Sequence, residues 1–261
     1  MDVQHAYLST PSPRGFAHRG WHIDELDGME NSLPAFRRAT DEGYHYLETD
    51  VQVTSDGVVV VHHDESLDRT TDRSGVITSL PWSEVRRARI AGKEPVSRLE
   101  DVLEELPGAH FNIDVKADAA VQPFIRVIER AGAVDRVAAA SFSSRRLARI
   151  RRLGGPKLTM AMGTLSAGVI WGNCRLPLVS LSFLTRGVMA QVPMRYGRLS
   201  VVDEAFVRMA HRYGAEVHVW TIDHAEQMRH LLDIGVDGIV TDRPDRLRSV
   251  LLERDAWPSR D

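Results

Sequence analysis

The sequence predicts a single-domain α/β protein, built as a (β/α)8 TIM barrel. Short strand-like runs alternate with amphipathic helical patterns along the chain, and about eight such strand–helix units fit the sequence. The length of 261 residues is close to the roughly 250 of a typical barrel, and no linker rich in Pro, Gly or Ser divides the chain. We therefore expect one barrel over residues 15–252, with residues 1–14 and 253–261 as terminal extensions.

The first two units are predicted from short runs of β-forming residues and from helix capping. Gly15–His18 is a strand candidate, and Ser32–Glu42 follows as a helix with Asn31 or Ser32 as its cap. Tyr46–Val53 alternates like a strand. The turn at residues 54–57 and a second strand at Val58–His62 then form a hairpin. We expect this second strand to be a small antiparallel excursion from an otherwise parallel sheet.

The remaining elements continue the same alternation, with glycines ending several of the helices. Helices are predicted at Trp82–Ala88, Leu99–Leu106, Val121–Ala131, Ser144–Leu153, Glu204–Tyr213, Ala225–Leu232 and Pro244–Leu252. Strands are predicted at Phe111–Val115, Val137–Ser141, Leu158–Met162, Ala190–Val192, Val217–Trp220 and Gly238–Thr241.

The segment Leu158–Cys174 carries no charged residue, and its length is near the lower limit of about 17 residues for a membrane-spanning helix. Several Gly, Ser, Thr and Asn residues interrupt it, so we expect no transmembrane segment there. A barrel strand followed by an apolar loop or a short helix is the plain interpretation. An exposed apolar flap at the mouth of a site is the alternative.

Charge and cysteine content exclude several classes of protein. Lys and Arg total 33 against 36 Asp and Glu, and without an end-to-end basic stripe we expect no nucleic-acid partner. The single cysteine, Cys174, cannot form an internal disulfide. The first fifteen residues lack the features of a secretion signal. These observations favour the cytoplasm.

Acidic residues on two neighbouring predicted strands indicate a cation site. Glu48 and Asp50 are separated by one residue, so both carboxylates face the barrel interior, where like charges repel strongly unless a cation lies between them. The next strand brings Asp114 and Lys116 to the same face. Three carboxylates without a thiolate suit a hard divalent cation such as Mg²⁺ or Ca²⁺. The alternative is that these acids form buried salt bridges with Arg19 and Lys116.

Histidines and cations at the same strand ends indicate phosphoryl chemistry. His18 and His63 can serve as a general acid–base pair, while Arg19 and Lys116 hold an anionic group. His62 is adjacent to His63 and therefore points to the opposite face. A metal, an anion grip and an acid–base pair together favour a phosphate ester over a sugar or an acyl substrate.

A series of short motifs runs in order from about Gly15 to Pro244. They are His18-Arg19-Gly20, Glu30–Phe36, Glu48–Val51, Val60–Asp64, Arg69–Thr71, Asn112–Lys116, Ser141-Phe142, Trp220–Asp223 and Gly238–Pro244. Any one of them is a weak signal, whereas the ordered series is specific. Together they resemble the glycerophosphodiester phosphodiesterase family.

The resemblance implies a TIM barrel that hydrolyses a glycerophosphodiester to glycerol 3-phosphate and an alcohol, with a place in glycerol and lipid metabolism. It implies His18 and His63 as the acid–base pair, Glu48, Asp50 and Asp114 around one divalent metal ion, Arg19 and Lys116 at the phosphate, and Phe142 and Trp220 in the pocket wall. The family usually has Glu at the position of Asp114, and this shorter side chain makes Asp114 the least certain ligand.

Two other functions are compatible with these residues. The barrel could cleave lysophospholipids or phosphoinositides at a membrane, with Leu158–Cys174 and its neighbour Leu176–Leu184 as a peripheral apolar contact. It could also be a non-catalytic barrel that binds a phosphate ligand, although a binder needs neither histidine. The nucleophile, either water or the adjacent glycerol hydroxyl, stays open, as do the head group, the metal and the oligomeric state.

Overall fold

The computed structural model describes residues 5–175 and 187–258 and confirms the barrel. Its eight parallel strands are β1 (Arg14–His18), β2 (Tyr46–Val53), β3 (His110–Val115), β4 (Val137–Ala140), β5 (Thr159–Met160), β6 (Met189–Pro193), β7 (Glu216–Trp220) and β8 (Gly238–Thr241). Each strand pairs with its neighbour in the chain, and β1 pairs with β8. A parallel bridge between Ala161 and Met189 joins β5 to β6 and closes the ring.

A helix follows each strand and packs on the outside of the ring. These helices are α1 (Leu33–Asp41), α2 (Leu99–Glu105), α3 (Val121–Arg130), α4 (Ser144–Gly154), α5 (Thr164–Arg175), α6 (Glu204–Arg212), α7 (Ala225–Asp233) and α8 (Pro244–Leu252). Side-chain caps begin three of them: Ser32, Ser143 and Asp203 each accept a hydrogen bond from a backbone N–H in the first turn.

Alternation along the strands divides the apolar residues into an outer and an inner core. Ala17 and Leu47 point outward and pack under the helices, in a cluster that runs around the ring. Phe16 and Tyr46, one residue earlier on the same strands, point into the barrel and form a smaller inner cluster. Both faces of these strands are therefore covered, as parallel sheets require.

The inner core is closed at the N-terminal end of the strands by a segment that precedes β1. Tyr7 is fully buried there and packs edge-on against the Tyr46 ring. Arg14 donates to the carbonyl oxygens of Leu8 and Thr10 and pairs with Glu216 at 2.5 Å. This floor leaves the opposite end, where the strands terminate, as the accessible one.

Residues 54–98, between β2 and α2, form the predicted excursion. Val59–Val61 pairs antiparallel with β2, which confirms the hairpin. The excursion has an apolar core of its own, which includes Val60, Leu67 and Ile77. It also contains a two-stranded ribbon, Arg89–Ile90 with Glu94–Pro95, that the sequence analysis missed because strands of two residues show no alternation.

The uncharged segment forms a short strand and a helix. Only Thr159–Met160 is strand, and α5 follows as a twelve-residue helix. Within the two described ranges, no helix is long and apolar enough to cross a membrane. The neighbouring Leu176–Leu184 stretch lies outside the described residues. A second unpredicted ribbon, Arg195–Tyr196 with Leu199–Ser200, follows β6.

Candidate active site

All nine predicted site residues line one cavity of about 440 Å³ at the C-terminal ends of the strands. They are His18, Arg19, Glu48, Asp50, His63, Asp114, Lys116, Phe142 and Trp220. The cavity lies where barrel active sites are found, opposite the floor. Residues that are up to 202 positions apart in the chain meet there because each follows or ends a strand.

The three carboxylates are buried side by side on β2 and β3. Glu48, Asp50 and Asp114 are exposed by 7%, 1% and 6%. In the parallel register Asp50 lies opposite Asp114, and Glu48 lies opposite Asn112. The acid-x-acid pattern thus places its side chains in the barrel interior.

Two cations lie directly against these carboxylates. Lys116 Nζ is 2.8 Å from Asp50 Oδ1 and 2.7 Å from Asp114 Oδ2. Arg19 Nε is 3.2 Å from Asp50 Oδ2. These are the buried salt bridges that the sequence analysis gave as the alternative to a metal, and both oxygens of Asp50 take part in them.

The protonation of the acids differs with their surroundings. Burial raises the pKa of Glu48 to about 8, and the nearby Asp50 charge adds to the rise. Burial also raises the pKa of Asp114, despite the adjacent Lys116 ammonium. Burial opposes ionisation of Asp50 too, but Lys116 and Arg19 outweigh it and lower the pKa of Asp50. In this arrangement Asp50 stays ionised, whereas Glu48 takes up a proton or a cation readily.

Three buried acceptor oxygens in the cavity have no hydrogen-bond partner in the part of the chain that the structure describes. They are Glu48 Oε2, Asp114 Oδ1 and Asn112 Oδ1. Buried acceptors without partners are costly, and oxygen donors of this kind suit Mg²⁺ or Ca²⁺. The residues present therefore fit a hard cation. However, within residues 5–175 and 187–258 no three His, Cys, Asp or Glu side chains are already grouped closely enough to hold one.

An aspartate orients His18. Nδ1 of the imidazole lies 2.6 Å from Asp242 Oδ1, and Nε2 faces Glu48 Oε2 at 3.6 Å. Burial alone would lower the pKa of His18, but the Glu48 and Asp242 carboxylates outweigh it and raise that pKa. His22 also bonds Asp242, at 3.2 Å. Although burial opposes ionisation of Asp242, its two histidine partners hold the pKa of this carboxyl well below its usual range.

His63 is held in the same way by its neighbour in the chain. Its Nδ1 lies 2.6 Å from Asp64 Oδ1, and Arg69 donates to the other oxygen of Asp64 at 2.7 Å. Hydrogen bonds from Arg69 and His63 hold the pKa of Asp64 well below its usual range. His62 faces away, with its ring nitrogens at hydrogen-bond distance from the Asp64 carbonyl and the Thr70 hydroxyl.

The turn after β1 positions Arg19. This residue has φ +55°, and Gly20 has φ +89° with the position of a Cβ only 2.9 Å from the Ala35 backbone, so the turn requires a glycine. Arg19 Nη1 then bonds Glu30 at 2.8 Å. Asn31 donates to Asp50 at 3.0 Å and so links this turn to the acids on β2.

Phe142 and Trp220 line the cavity together beside Lys116. Their rings meet edge to face, 5.6 Å apart, and Lys116 Nζ lies 5.6 Å from the centre of the Phe142 ring. The residues predicted for the pocket wall therefore lie next to Lys116, which is predicted to bind the phosphate.

The sequence analysis assigned no role to five residues that hold the site together. They are Glu30, Asn31, Asp64, Arg69 and Asp242. Asp242 had an available signal, because it directly follows β8 at the end of the barrel where the other site residues lie. The roles of the other four depend on contacts between loops, which spacing in the sequence does not reveal.

The structure combines a closed (β/α)8 barrel with buried acids, paired cations and two histidines held by aspartates, all at one end of the barrel. This combination defines the class of barrel hydrolases that act on phosphate esters. Comparison with known families agrees with that class. The model of the glycerophosphoryl diester phosphodiesterase family matches residues 14–246, nearly the whole chain. The chain belongs to this family and is a phosphoric diester hydrolase.

One relative supports the family assignment, and two solved structures support the fold. The probable glycerophosphodiester phosphodiesterase 2 of Mycobacterium tuberculosis is 41% identical over 245 residues, which cover 92% of this chain and 91% of the relative. A glycerophosphodiester phosphodiesterase structure from Parabacteroides distasonis superposes with a TM-score of 0.77 at 23% identity and covers 94% of this chain and all of its own. A phosphodiesterase from Oleispira antarctica, solved with the product sn-glycerol-3-phosphate, also has a TM-score of 0.77, at 22% identity, with 92% of this chain and 97% of that one covered.

Proposed function

We propose that this protein hydrolyses glycerophosphodiesters to glycerol 3-phosphate and an alcohol, with one divalent metal ion and with His18 and His63 as the acid–base pair. One observation carries the proposal. Two imidazoles, each held at Nδ1 by an aspartate 2.6 Å away, line the same cavity as Arg19 and Lys116. An aspartate at Nδ1 fixes the ring and its tautomer, which leaves Nε2 to exchange a proton with the substrate.

The two histidines give hydrolysis a complete proton path. As water attacks phosphorus, one Nε2 accepts its proton and the other Nε2 donates a proton to the departing alcohol oxygen. If the neighbouring glycerol hydroxyl attacks first, the same transfers release the alcohol and leave a cyclic phosphate, which water then opens to glycerol 3-phosphate. The ring of His18 is held inside the barrel, whereas His63 approaches from the excursion, so the two imidazoles are presented by different elements. In-line displacement at phosphorus requires such groups on separate sides of the phosphate.

Arg19 and Lys116 supply the charge that binds the phosphate. Lys116 is 18% exposed and Arg19 17%, so both reach the cavity from buried stems. The Asp50 and Asp114 carboxylates keep the pKa of Lys116 above its usual range although burial opposes this. The ammonium therefore stays charged, and it can move from the acids to a phosphate oxygen.

Glu48, Asp50 and Asp114 would hold the metal. Glu48 and Asp114 each have a buried oxygen that makes no hydrogen bond to the described residues, while Asp50 would exchange the Lys116 ammonium for the cation. A bound Mg²⁺ or Ca²⁺ would neutralise phosphate charge and stabilise the charge that develops during displacement. Since burial raises the pKa of Glu48, a cation at this position also displaces a proton.

The experiment is an assay of glycerol 3-phosphate release from glycerophosphocholine by the purified protein. We expect turnover that EDTA removes and that either Mg²⁺ or Ca²⁺ restores. Full turnover after exhaustive chelation would overturn the metal requirement, and no release under any of these conditions would overturn the proposed reaction.

The site geometry gives no preference for a compartment. The cytoplasmic location and the place in glycerol and lipid metabolism stay predictions from the sequence, and fractionation of the native cells tests the first of them.

A further inference from the structure

We propose that one side of the barrel docks on the surface of an anionic lipid bilayer, with arginines at the headgroups and exposed leucines in the apolar layer. This side, the basic sector, consists of residues 136–175 and 187–202 and contains β4, α4, β5, α5, β6 and the ribbon after β6. These elements are neighbours around the ring, so the basic sector is one continuous face. Docking there is a binding property separate from the proposed hydrolysis.

Charge is distributed unevenly along this chain. Residues 136–202 contain 11 of the 33 Lys and Arg residues and none of the 36 Asp and Glu residues. The remaining 22 cations share the rest of the chain with all 36 acids. The net charge of −3 is therefore the sum of a strongly positive segment and a negative remainder, and the positive segment suits an anionic partner.

Helix α4 carries much of this charge, with five arginines and no acid in eleven residues. Arg146 has a structural role, since it pairs with Asp118 at 2.8 Å. Arg145, Arg149 and Arg152 follow at spacings of four and three residues, which places them along one face of the helix. None of these three forms an ion pair within the described residues, and like charges at this spacing destabilise a helix. The barrel itself therefore gains little from them.

Two more arginines lie on the ribbon after β6. Arg195 and Arg198 are both exposed, and in the described parts of the chain neither has a carboxylate partner. Arg195 donates only to the Arg198 carbonyl, at 3.2 Å. The ribbon follows β6, and α4 begins four residues after β4 ends, so both lie where the cavity opens. Positive charge therefore borders one side of the mouth and continues down the outside of the barrel along α4.

Exposed apolar side chains are concentrated in the same sector. It holds five of the seven large ones in the described parts of the chain: Phe142 at 67%, Leu153 at 39%, Leu165 at 68%, Tyr196 at 77% and Leu199 at 44%. Proteins that bind a bilayer surface combine Lys and Arg with Leu and aromatic side chains, which reach the headgroups and the acyl region respectively. A nucleic-acid backbone would leave the leucines without an apolar partner. The combination therefore favours a lipid surface.

The test measures cosedimentation of the purified protein with two kinds of vesicle, one of phosphatidylcholine alone and one of equal parts phosphatidylcholine and phosphatidylglycerol. We expect at least tenfold stronger binding to the anionic vesicles, which weakens as NaCl is added because salt screens exposed charges. Equal binding to both kinds, or binding to neither, would overturn the proposal. Binding to duplex DNA without binding to vesicles would assign the arginines to nucleic acid and would also overturn it.

A triple variant, Arg145→Ser, Arg149→Ser and Arg152→Ser, removes the charge from one face of α4. One basic residue near an anionic surface contributes about fivefold to the partition coefficient, so we expect binding to the anionic vesicles to fall at least tenfold. Glycerophosphocholine hydrolysis should be unchanged, because none of the three lines the cavity. Circular dichroism checks that the variant is folded.

The matched control removes the same charge from exposed positions of the excursion, at Arg86, Arg87 and Lys93. Its triple serine variant should lose at most about twofold, since these residues lie outside the basic sector and salt screens charges beyond about 10 Å. An equal loss in both triple variants would show that overall charge governs binding, and would contradict docking through the sector.

A single variant tests the apolar contact. Leu165→Ser should weaken binding to the anionic vesicles at least threefold, because a leucine that enters the acyl region gains from its burial. Leu252→Ser, at an exposed leucine of α8 outside the sector, should leave binding unchanged. Equal binding by these two variants would contradict leucine insertion. Neither leucine lines the cavity, so a failure of glycerophosphocholine hydrolysis would bear on the proposed function alone.

Discussion

At the scale of single residues, the two aspartate–histidine pairs show how two imidazoles would be prepared for the proposed proton transfer. Asp242 and Asp64 lie on different loops, yet each meets a histidine Nδ1 at 2.6 Å. Both carboxyls have a pKa held well below the usual range, so they are ionised near neutral pH. A fixed negative charge stabilises the imidazolium that forms when either histidine accepts a proton.

Replacement of Asp242 by Asn should therefore lower kcat by at least tenfold, and by no more than the roughly 10²–10⁴-fold that a positioned acid–base group contributes. The amide keeps the shape but loses the charge beside His18. Steady-state kinetics with glycerophosphocholine measure the effect, and KM should change little. Asp245→Asn is the matched control, because Asp245 pairs with Arg243 and does not line the cavity. Equal loss of kcat in both variants would contradict an orienting role for Asp242.

Lys116 gives a second prediction at this scale, with stability as the readout. Lys116→Met leaves Asp50 and Asp114 without their shared ammonium, and breaking a buried ion pair costs about 3–5 kcal/mol. We expect a lower melting temperature, which added Mg²⁺ or Ca²⁺ raises more in the variant than in the wild type. Thermal unfolding with and without the cation measures both. An identical cation response in the two proteins would argue against cation binding by these acids.

At the scale of elements, the excursion carries one half of the proposed acid–base pair on a separate small core. Ile77 is fully buried in that core, together with Leu67 and Val60. His63, Asp64 and Arg69 belong to the same segment, whereas His18 belongs to the barrel. The proposed catalysis by two histidines would therefore depend on the docking of the excursion, and local unfolding of such a small core would remove it.

Ile77→Ala should destabilise the excursion by about 2–5 kcal/mol and remove activity at a lower urea concentration than helical structure. Activity and far-UV circular dichroism, followed across the same titration, give the two midpoints. Ile150→Ala, in α4 and in the outer core, is the control in which both midpoints should shift together. Coincident midpoints in Ile77→Ala would mean that barrel and excursion unfold as one unit.

Sequence patterns predicted the elements well where local signals were strong. The bounds of β2 follow directly from its alternation, and the cap at Ser32 locates the start of α1. Local patterns predicted β5 at the right place but too long, and they missed the ribbons, since strands of two residues owe their form to neighbours across the sheet. Positions at strand ends predicted His18, Glu48 and Asp50 as site residues, because barrel active sites lie at the carboxyl ends of the strands. The loop contacts that involve Arg69 leave no pattern in the sequence, and only the structure reveals them.

At the scale of the whole molecule, the floor and the active site lie at opposite ends of the barrel, and each holds buried titratable side chains in different surroundings. His110 lies on the floor side, with its ring 4.9 Å from that of Tyr46 and 5.7 Å from that of Tyr7. Burial lowers the pKa of His110 to about 4, and the nearby His45 and Arg136 contribute. The fold thus keeps this histidine neutral.

Because the pKa of His110 differs between the folded and the unfolded chain, the free energy of unfolding depends on pH in a defined window. The unfolded chain binds the His110 proton below about pH 6.5 and the folded chain only below about pH 4. The contribution of His110 to the free energy of unfolding is therefore fully present above pH 6.5. It is lost as the pH falls to 4, by about 1.4 kcal/mol per pH unit at most. His110→Gln should lose less free energy of unfolding between pH 7 and pH 4.5 than the wild type, as urea titrations measure. Equal losses would show that His110 is already charged in the folded protein.

The central claim is that His18 and His63, held on two different elements, are the groups that transfer protons in hydrolysis of the diester. The most direct measurement is phosphorus NMR of glycerophosphocholine incubated with wild type, His18→Ala, His63→Ala and His62→Ala, after circular dichroism has shown each to be folded. We predict that the wild type and His62→Ala convert the diester signal to that of glycerol 3-phosphate, while His18→Ala and His63→Ala leave it unchanged. Conversion by His63→Ala together with no conversion by folded His62→Ala would contradict this assignment.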